Sequence, residues 1–319
     1  MRQSILVGTH GKAGAAGALR AAEALASRLD AAVQVITVLE PLPAYDYGFG
    51  PVFVPDERME EERRVARAAE IRKQLRNVVG TASDGWEISC RTGSVGAAIV
   101  DAARSEEVVA IVLGIGRHAP SDRLLGGETV LHVSRAATVP VLAVTEDATG
   151  LPARVLIATD FSVSSLHAAR VATQFIAQGA QVTLAHVMPQ IDLLDAGRAE
   201  WERVYRTGVE ASAERMIADI DPTDLNHFNV VVLQGDPAEQ LIALARRTPV
   251  ELIAAGSHGR KGLERLLLGS VATKLLRAAR CSVLLAPPDA VRARSEPTEL
   301  AMHTASIGFG ATDRTPVIQ

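Results

Sequence analysis

The sequence predicts an α/β protein: two copies of a five-stranded parallel-sheet sandwich of the doubly wound class, paired with pseudo-two-fold symmetry. Three observations carry this. A chain of 319 residues holds two domains at about 150 residues each. Residues 114–144 align without gaps on 256–286, ten of the 31 positions being identical, among them Arg123/Arg265, Leu124/Leu266, Leu125/Leu267 and Gly127/Gly269. Short, uniformly apolar runs alternate with helical patterns, as expected of strands buried on both faces beneath helices.

The repeat orders the elements. At the start, Ile5-Leu6-Val7-Gly8-Thr9 matches Val155-Leu156-Ile157-Ala158-Thr159 at an offset of 155 − 5 = 150, and Ala18, Arg20 and Ala22 match Ala168, Arg170 and Ala172. Later the offset is 256 − 114 = 142, so the first copy holds about eight extra residues between its second and third strands. In the second copy, apolar runs predict strands at 154–159, 181–187, 228–233, 250–255 and 282–286. Helical patterning predicts helices at 164–177, about 194–220, 238–247 and 270–279. The last strands of the copies, 139–144 and 282–286, are edges along which the halves can pair. The expected boundaries are 1–149, 150–288 and a tail, 289–319, rich in Pro, Ser, Thr, Ala and Arg and expected to be flexible.

Composition narrows the function. Lys and Arg total 33 against 37 acids, a net charge of −4, so no broad basic surface awaits a phosphate backbone. Two Trp, three Tyr and six Phe leave few platforms for stacked bases, and nucleic acid is not an expected partner. Four of these aromatics (Tyr45, Tyr47, Phe49 and Phe53) crowd into the segment 41–56, read as a cap on its own domain or as a lid or partner-binding loop. No apolar run approaches the ~18 residues that span a bilayer, and the start resembles no leader, so a cytoplasmic protein without membrane insertion is expected. Cys90 and Cys281 read as small core residues rather than a disulfide or a zinc site.

The chemistry concentrates after the fourth strand of the second copy, where Gly256-Ser257-His258-Gly259 is followed, nine residues on, by Gly269-Ser270 at a helix start. Glycines at a strand end let the backbone turn and approach a ligand with its N–H groups outward. A Gly-Ser pair opening a helix adds free N–H donors, a hydroxyl and the positive end of the helix dipole, together a cradle for phosphate oxygens. The alternative is an ordinary loop and cap. Asp160 follows the first strand and so lies at the same sheet edge, where the strand order reverses. Its carboxylate could accept from a ribose hydroxyl or could cap the next helix, a role that Ser162 or Ser164 fills equally well.

Ala158-Thr159-Asp160-Phe161-Ser162, His186-Val187 and Gly256-Ser257-His258-Gly259…Leu267-Leu268-Gly269-Ser270-Val271 resemble the universal stress protein family in its tandem form, over about residues 1–287. The resemblance implies an adenine-nucleotide-hydrolase-like sandwich, ATP or another adenine nucleotide as ligand, alone or with Mg²⁺, and pairing through the last strand. By position, Asp160 would contact the ribose and the backbone of Val187 the adenine edge. Gly256, Gly259, Gly269, Ser270 and Val271 would hold the phosphates, with Arg260 and Lys261 adding charge or merely lining a solvated rim.

The first copy departs from the pattern. His10 stands for Asp160, Arg117 for Gly259 and Glu128 for Ser270, although Gly114 and Gly127 are kept and Gly116 lies one position from the missing glycine. A carboxylate at a helix start would repel a triphosphate by a few kcal/mol per close charge pair at about 4 Å. This copy is therefore read as degenerate, with a structural or partner-binding role.

No phosphate-binding Walker loop and no nucleophile elbow occurs. His258 could assist slow hydrolysis or be passive, and no catalytic residue is assigned. The expected function is stress response or regulation, with nucleotide bound in the C-terminal domain governing interaction with a regulatory protein partner, the chain being monomeric or a homodimer. The alternatives are an interaction module without nucleotide and a weak ATPase.

Overall fold

The computed structural model describes residues 2–42, 56–105, 107–115, 120–190, 195–223, 227–258 and 268–288. The first repeat runs β1 (Ser4–Gly8), α1 (Ala16–Leu29), β2 (Ala32–Leu39), α2 (Glu57–Val79), β3 (Glu87–Thr92), α3 (Val95–Ala102), β4 (Val108–Ile115), α4 (Pro120–Ala136) and β5 (Val141–Thr145). The second follows the same order: β6 (Arg154–Thr159), α5 (Val163–Gln174), β7 (Gln181–Met188), α6 (Asp195–Ile220), β8 (His227–Gln234), α7 (Pro237–Arg247), β9 (Leu252–Gly256), α8 (Ser270–Ala278) and β10 (Ser282–Ala286). The aromatic segment apart from Pro41, Leu42 and Asp56 lies outside the described residues, as does the tail beyond Pro288.

The ten strands of the described residues form one sheet in the order β3-β2-β1-β4-β5-β10-β9-β6-β7-β8. Every pairing is parallel except β5 with β10, which is antiparallel and joins the repeats. Leu142 faces Leu284 at the centre of that seam, with Val141 opposite Leu285 and Ala143 opposite Val283. Since 142 + 142 = 284, the central pair joins equivalent residues, and the pseudo-two-fold axis passes between them. The seam is reinforced where Thr145 N donates to Ser282 Oγ at 3.3 Å.

Because successive side chains on a strand point to opposite faces, the apolar runs feed two layers. Ile5, Val7, Val33, Ile157 and Leu184 pack beneath α1, α2, α5 and α6. Leu6, Ile111, Leu156, Ile253 and Leu285 pack beneath α3, α4, α7 and α8. Both layers run across the seam. Helix starts follow local chemistry: Asp56 Oδ1 accepts from Met59 N at 2.8 Å, and Asp236 caps α7 by accepting from Glu239 N, with Pro237 in the first turn. Gly17 lets α1 close on β5, since a Cβ there would stand 1.9 Å from the Thr145 carbonyl oxygen.

The strands and helices expected in the second copy are found within one residue of their predicted ends, with two larger differences. The strand expected from residue 250 begins at Leu252, because Val250 N turns back to the Thr248 carbonyl at 2.8 Å. The helix expected to reach 177 ends at Gln174, capped by Phe175. Of the extra residues in the first copy, seven fall between strands two and three: Val182 − Val33 gives 149, whereas Asn229 − Glu87 gives 142.

Cys281 is buried in the core as expected. Cys90, on β3, is only partly buried; that burial raises its thiol pKa against the opposing pull of Arg67, Arg64 and Arg63.

Candidate functional site

With β5 antiparallel to β10, the carboxyl ends of the two sets of parallel strands lie at opposite edges of the sheet. In the second repeat the strand order reverses between β9 and β6, and the residues ending these strands frame the candidate site.

Asp160 leaves β6 in a tight turn. Its Oδ1 accepts from Ser162 N at 3.0 Å and from Ser162 Oγ at 2.5 Å. Ser162, not Asp160, caps α5, its Oγ accepting from Ser165 N at 3.2 Å. Asp160 is therefore not committed to the helix start and sits half-buried at the sheet edge. Phe161 follows with a left-handed backbone, φ 59°, unusual for a residue with a Cβ. Its N–H donates to Thr159 Oγ1 at 2.9 Å.

Across the switch point, Gly256 ends β9, and a Cβ there would meet Ser164 Oγ at 3.0 Å and the His258 carbonyl at 3.2 Å. Ser164 Oγ donates to that carbonyl at 3.1 Å, tying α5 to the glycine loop. Ser257 anchors the loop stem: its N–H donates to the Ala286 carbonyl at 2.8 Å, and its own carbonyl accepts from Gly269 N at 2.8 Å. The last bond closes the loop on itself and sets the start of α8 beside β9. Gly269 is the N-cap residue and supplies no side-chain cap, while Ser270 is exposed and Val271 half-buried. Gly259, Arg260 and Lys261 lie outside the described residues.

His258 is held by Ser257, whose Oγ lies 2.8 Å from Nδ1. Among the described residues its Nε2 is buried without a hydrogen-bond partner, and burial pushes the imidazole pKa below its ordinary value. A buried polar atom left unpaired costs free energy, so a partner brought by a ligand would be favoured there. Val187 lies beyond the last rung between β6 and β7, Thr159 with His186, while still paired to Leu233 of β8. Asp160, Gly256, Gly269, Ser270 and Val271 thus gather around one edge, and Val187 stands one residue before the end of β7 at the same edge. Among the described residues no cluster of three or more His, Cys, Asp or Glu is placed to hold a metal.

The first repeat keeps the turn and changes its chemistry. Gly11 N donates to Thr9 Oγ1 at 3.2 Å and Lys12 N to His10 Nδ1 at 3.1 Å, so an imidazole nitrogen replaces the Asp160 carboxylate oxygen. Glu128 corrects a sequence expectation. It does not open a helix, because α4 already begins at Pro120, and Glu128 sits within it, 3.5 Å from Arg277 of α8. The backbone donors that α8 leaves at its first turn are consumed inside α4 at the matching position. Gly116 and Arg117 lie outside the described residues.

A depression of about 570 Å³ lies elsewhere in the first repeat, lined among others by Arg91, Ser94, Asp101, Arg104 and His132. Arg91 and Arg104 pair with Asp101 at 2.9 and 3.7 Å. It coincides with none of the sequence-predicted residues; part of the rim of their own site, 259–267, lies outside the described residues.

Sequence reasoning gave no role to Ser257, which closes the loop, or to Tyr205, whose hydroxyl lies 2.9 Å from His186 Nε2. Ser257 carried a signal, a small polar residue directly after the glycine that ends β9. Tyr205 carried none, since it lies on a mostly polar helix 19 residues from its partner. Among the described residues no helix is long and apolar enough to cross a membrane.

The sequence profile described as the universal stress protein family matches residues 1–145 and again 153–287. The chain is 28% identical over 305 residues to Universal stress protein Rv1996 of Mycobacterium tuberculosis, covering 88% of this chain and 94% of that one. It is 30% identical over 138 residues to Universal stress protein MJ0531 of Methanocaldococcus jannaschii, 41% of this chain and 80% of the relative. The crystal structure of a universal stress protein from Archaeoglobus fulgidus superposes with a TM-score of 0.63 at 19% identity, over 90% of this chain and 98% of that one, a likeness of fold.

Proposed function

From the premise that this chain belongs to the universal stress protein family as a tandem member, we propose that its second repeat binds ATP or a related adenine nucleotide and its first does not. The observation that carries this reading is the closed loop: Gly269 N on the Ser257 carbonyl brings the uncapped first turn of α8 beside the glycine turn, with Asp160 opposite. The residues present fit the ligand, for a Cβ on Gly256 would crowd Ser164 Oγ and the His258 carbonyl at the turn, and among the described residues His258 Nε2 is buried without a partner.

In this reading Asp160 accepts from a ribose hydroxyl, and the backbone of Val187 meets the adenine edge. Gly256, Gly259, Gly269, Ser270 and Val271 present N–H groups and a hydroxyl to phosphate oxygens, as helix N-termini do. Arg260 adds a positive charge beside them. Mg²⁺, where present, is carried in on the phosphates, since it usually relies on substrate oxygens. The chain's own work is binding, not turnover. Occupancy orders the glycine loop and biases a surface that a regulatory protein reads, in stress response or regulation within the cytoplasm, by a monomer or a homodimer.

Native mass spectrometry of the purified full chain tests this. One adenine nucleotide per chain is expected, lost in Asp160→Ala and in Gly259→Asp. Two nucleotides per chain would refute the asymmetry. None, together with no ATP binding by calorimetry, would leave an interaction module.

A further inference from the structure

The turn that carries Asp160 is braced from below by a group the nucleotide reading does not use. His186 is buried on β7, and its Nδ1 lies 2.9 Å from the Thr159 carbonyl oxygen. A carbonyl only accepts, so Nδ1 bears the proton. In the neutral ring Nε2 is then the acceptor for the Tyr205 hydroxyl of α6, 2.9 Å away. The imidazole also meets the Phe161 ring at 5.0 Å between centroids, and Tyr205 packs on Trp201 at 4.9 Å. His186 thus grips the residue before Asp160 through its carbonyl and the residue after it through its ring.

Phe161 shows that this grip holds something strained. It adopts φ 59°, where the first repeat has Gly11 at φ 83°. Glycine takes that conformation freely, but a residue with a Cβ holds it only where its surroundings impose it. The first repeat also lacks the brace. The residue equivalent to His186 is Thr37 (186 − 149), and that equivalent to Tyr205 is Arg63 (205 − 142), which turns to Glu60 at 3.1 Å and to the Glu40 carbonyl. The brace therefore occurs in the repeat that keeps the carboxylate and is missing from the repeat that has lost it.

We propose that His186 and Tyr205 are positioning residues for nucleotide binding, fixing the Asp160 turn in the geometry that meets the ribose and coupling it to α6. This rests on the nucleotide reading above. Neither residue touches the ligand; both act through the Thr159 carbonyl and the Phe161 ring.

The test is calorimetric titration of the full chain with ATP, ADP and AMP. Tyr205→Phe, which removes only a hydroxyl, and His186→Leu are expected to weaken all three nucleotides by a common factor of about five to ten, since the ribose is shared. His186→Asn, whose amide retains a donor for the Thr159 carbonyl, recovers part of the loss. The ligand-free melting midpoint of Tyr205→Phe stays within about 3 °C of the wild type. A merely structural role would not predict the double-mutant result: in an Asp160→Ala background, Tyr205→Phe costs no further affinity, because the group it positions is gone. Unchanged ATP affinity in both Tyr205→Phe and His186→Leu overturns the inference, as does a full additional loss in the double variant. A wild-type chain that binds none of the three nucleotides overturns the nucleotide reading and this inference with it, an outcome distinct from selective failure of the variants.

Discussion

Gln74 and Met216 stand at equivalent positions in the two repeats (216 − 74 = 142), and each reaches an equivalent threonine, Thr9 directly after β1 and Thr159 at the end of β6. Thr9 Oγ1 donates to Gln74 Oε1 at 2.8 Å, and Thr159 Oγ1 donates to Met216 Sδ at 3.4 Å. The amide does more than the thioether. Gln74 Nε2 also donates to the Lys12 carbonyl at 2.7 Å, and Arg67 donates to the His10 carbonyl at 3.3 Å. In the first repeat α2 is thus tied across the turn where a ribose would need an acceptor.

It follows that restoring one side chain does not restore the first site. His10→Asp returns a carboxylate, but the Gln74 and Arg67 ties remain and α4 still begins at Pro120, well before the residue matching Ser270. Calorimetry of the His10→Asp chain is expected to give the same ATP stoichiometry as the wild type, one per chain. A second site of comparable affinity would show that loss of the carboxylate alone had emptied the first repeat.

The repeat and its strands were legible because burial on both faces forces continuous apolar runs such as Val155-Leu156-Ile157, and Gly256 was legible because the turn at the end of β9, packed against Ser164, favours a residue without a side chain. What stayed hidden depends on contacts between distant residues. Nothing in the run around Gln74 says that it meets Thr9, 65 positions away. The early start of α4 was hidden too, since alignment with Ser270 suggested a helix start at Glu128. Gly17 gives no local sign of its role either, because its constraint is the Thr145 carbonyl of another strand.

That constraint makes Gly17 a sensitive position. A methyl group 1.9 Å from the Thr145 oxygen cannot be accommodated without moving α1 off β5, and the neighbouring Arg20 bonds to the Glu146 and Ala148 carbonyls at 2.7 Å would move with it. Overpacking of this kind costs about 1–3 kcal/mol or more. Gly17→Ala should lower the urea midpoint accordingly, whereas Gly14→Ala, which meets no atom within 4 Å, should not.

The seam makes a second prediction about stability. Leu142 and Leu284 are 3% and 0% exposed and face each other across the only antiparallel pairing of the described sheet. Truncating either to Ala should cost about 2–5 kcal/mol. Both core layers cross the seam, so chemical denaturation followed by circular dichroism should show one transition that shifts as a whole in either variant. Two separated transitions, with only one moved by Leu142→Ala, would mean that the repeats unfold independently.

His258 makes the site sensitive to pH in a definite direction. Burial disfavours the charged imidazole, so its pKa in the folded chain lies below its ordinary value of 6.5. Within the window between those two values the unfolded chain binds more protons than the folded one, and stability therefore rises with pH. The contribution is complete above about pH 6.5 and declines as pH falls toward the folded pKa. His258→Asn removes that titration and should show a smaller loss of melting temperature than the wild type between pH 7.5 and 5.5. The His258 ring resonance, followed by NMR, should titrate at lower pH than a histidine in a short peptide. An ordinary or raised midpoint would mean that Nε2 is solvated, removing one of the grounds for assigning it a partner in the bound ligand.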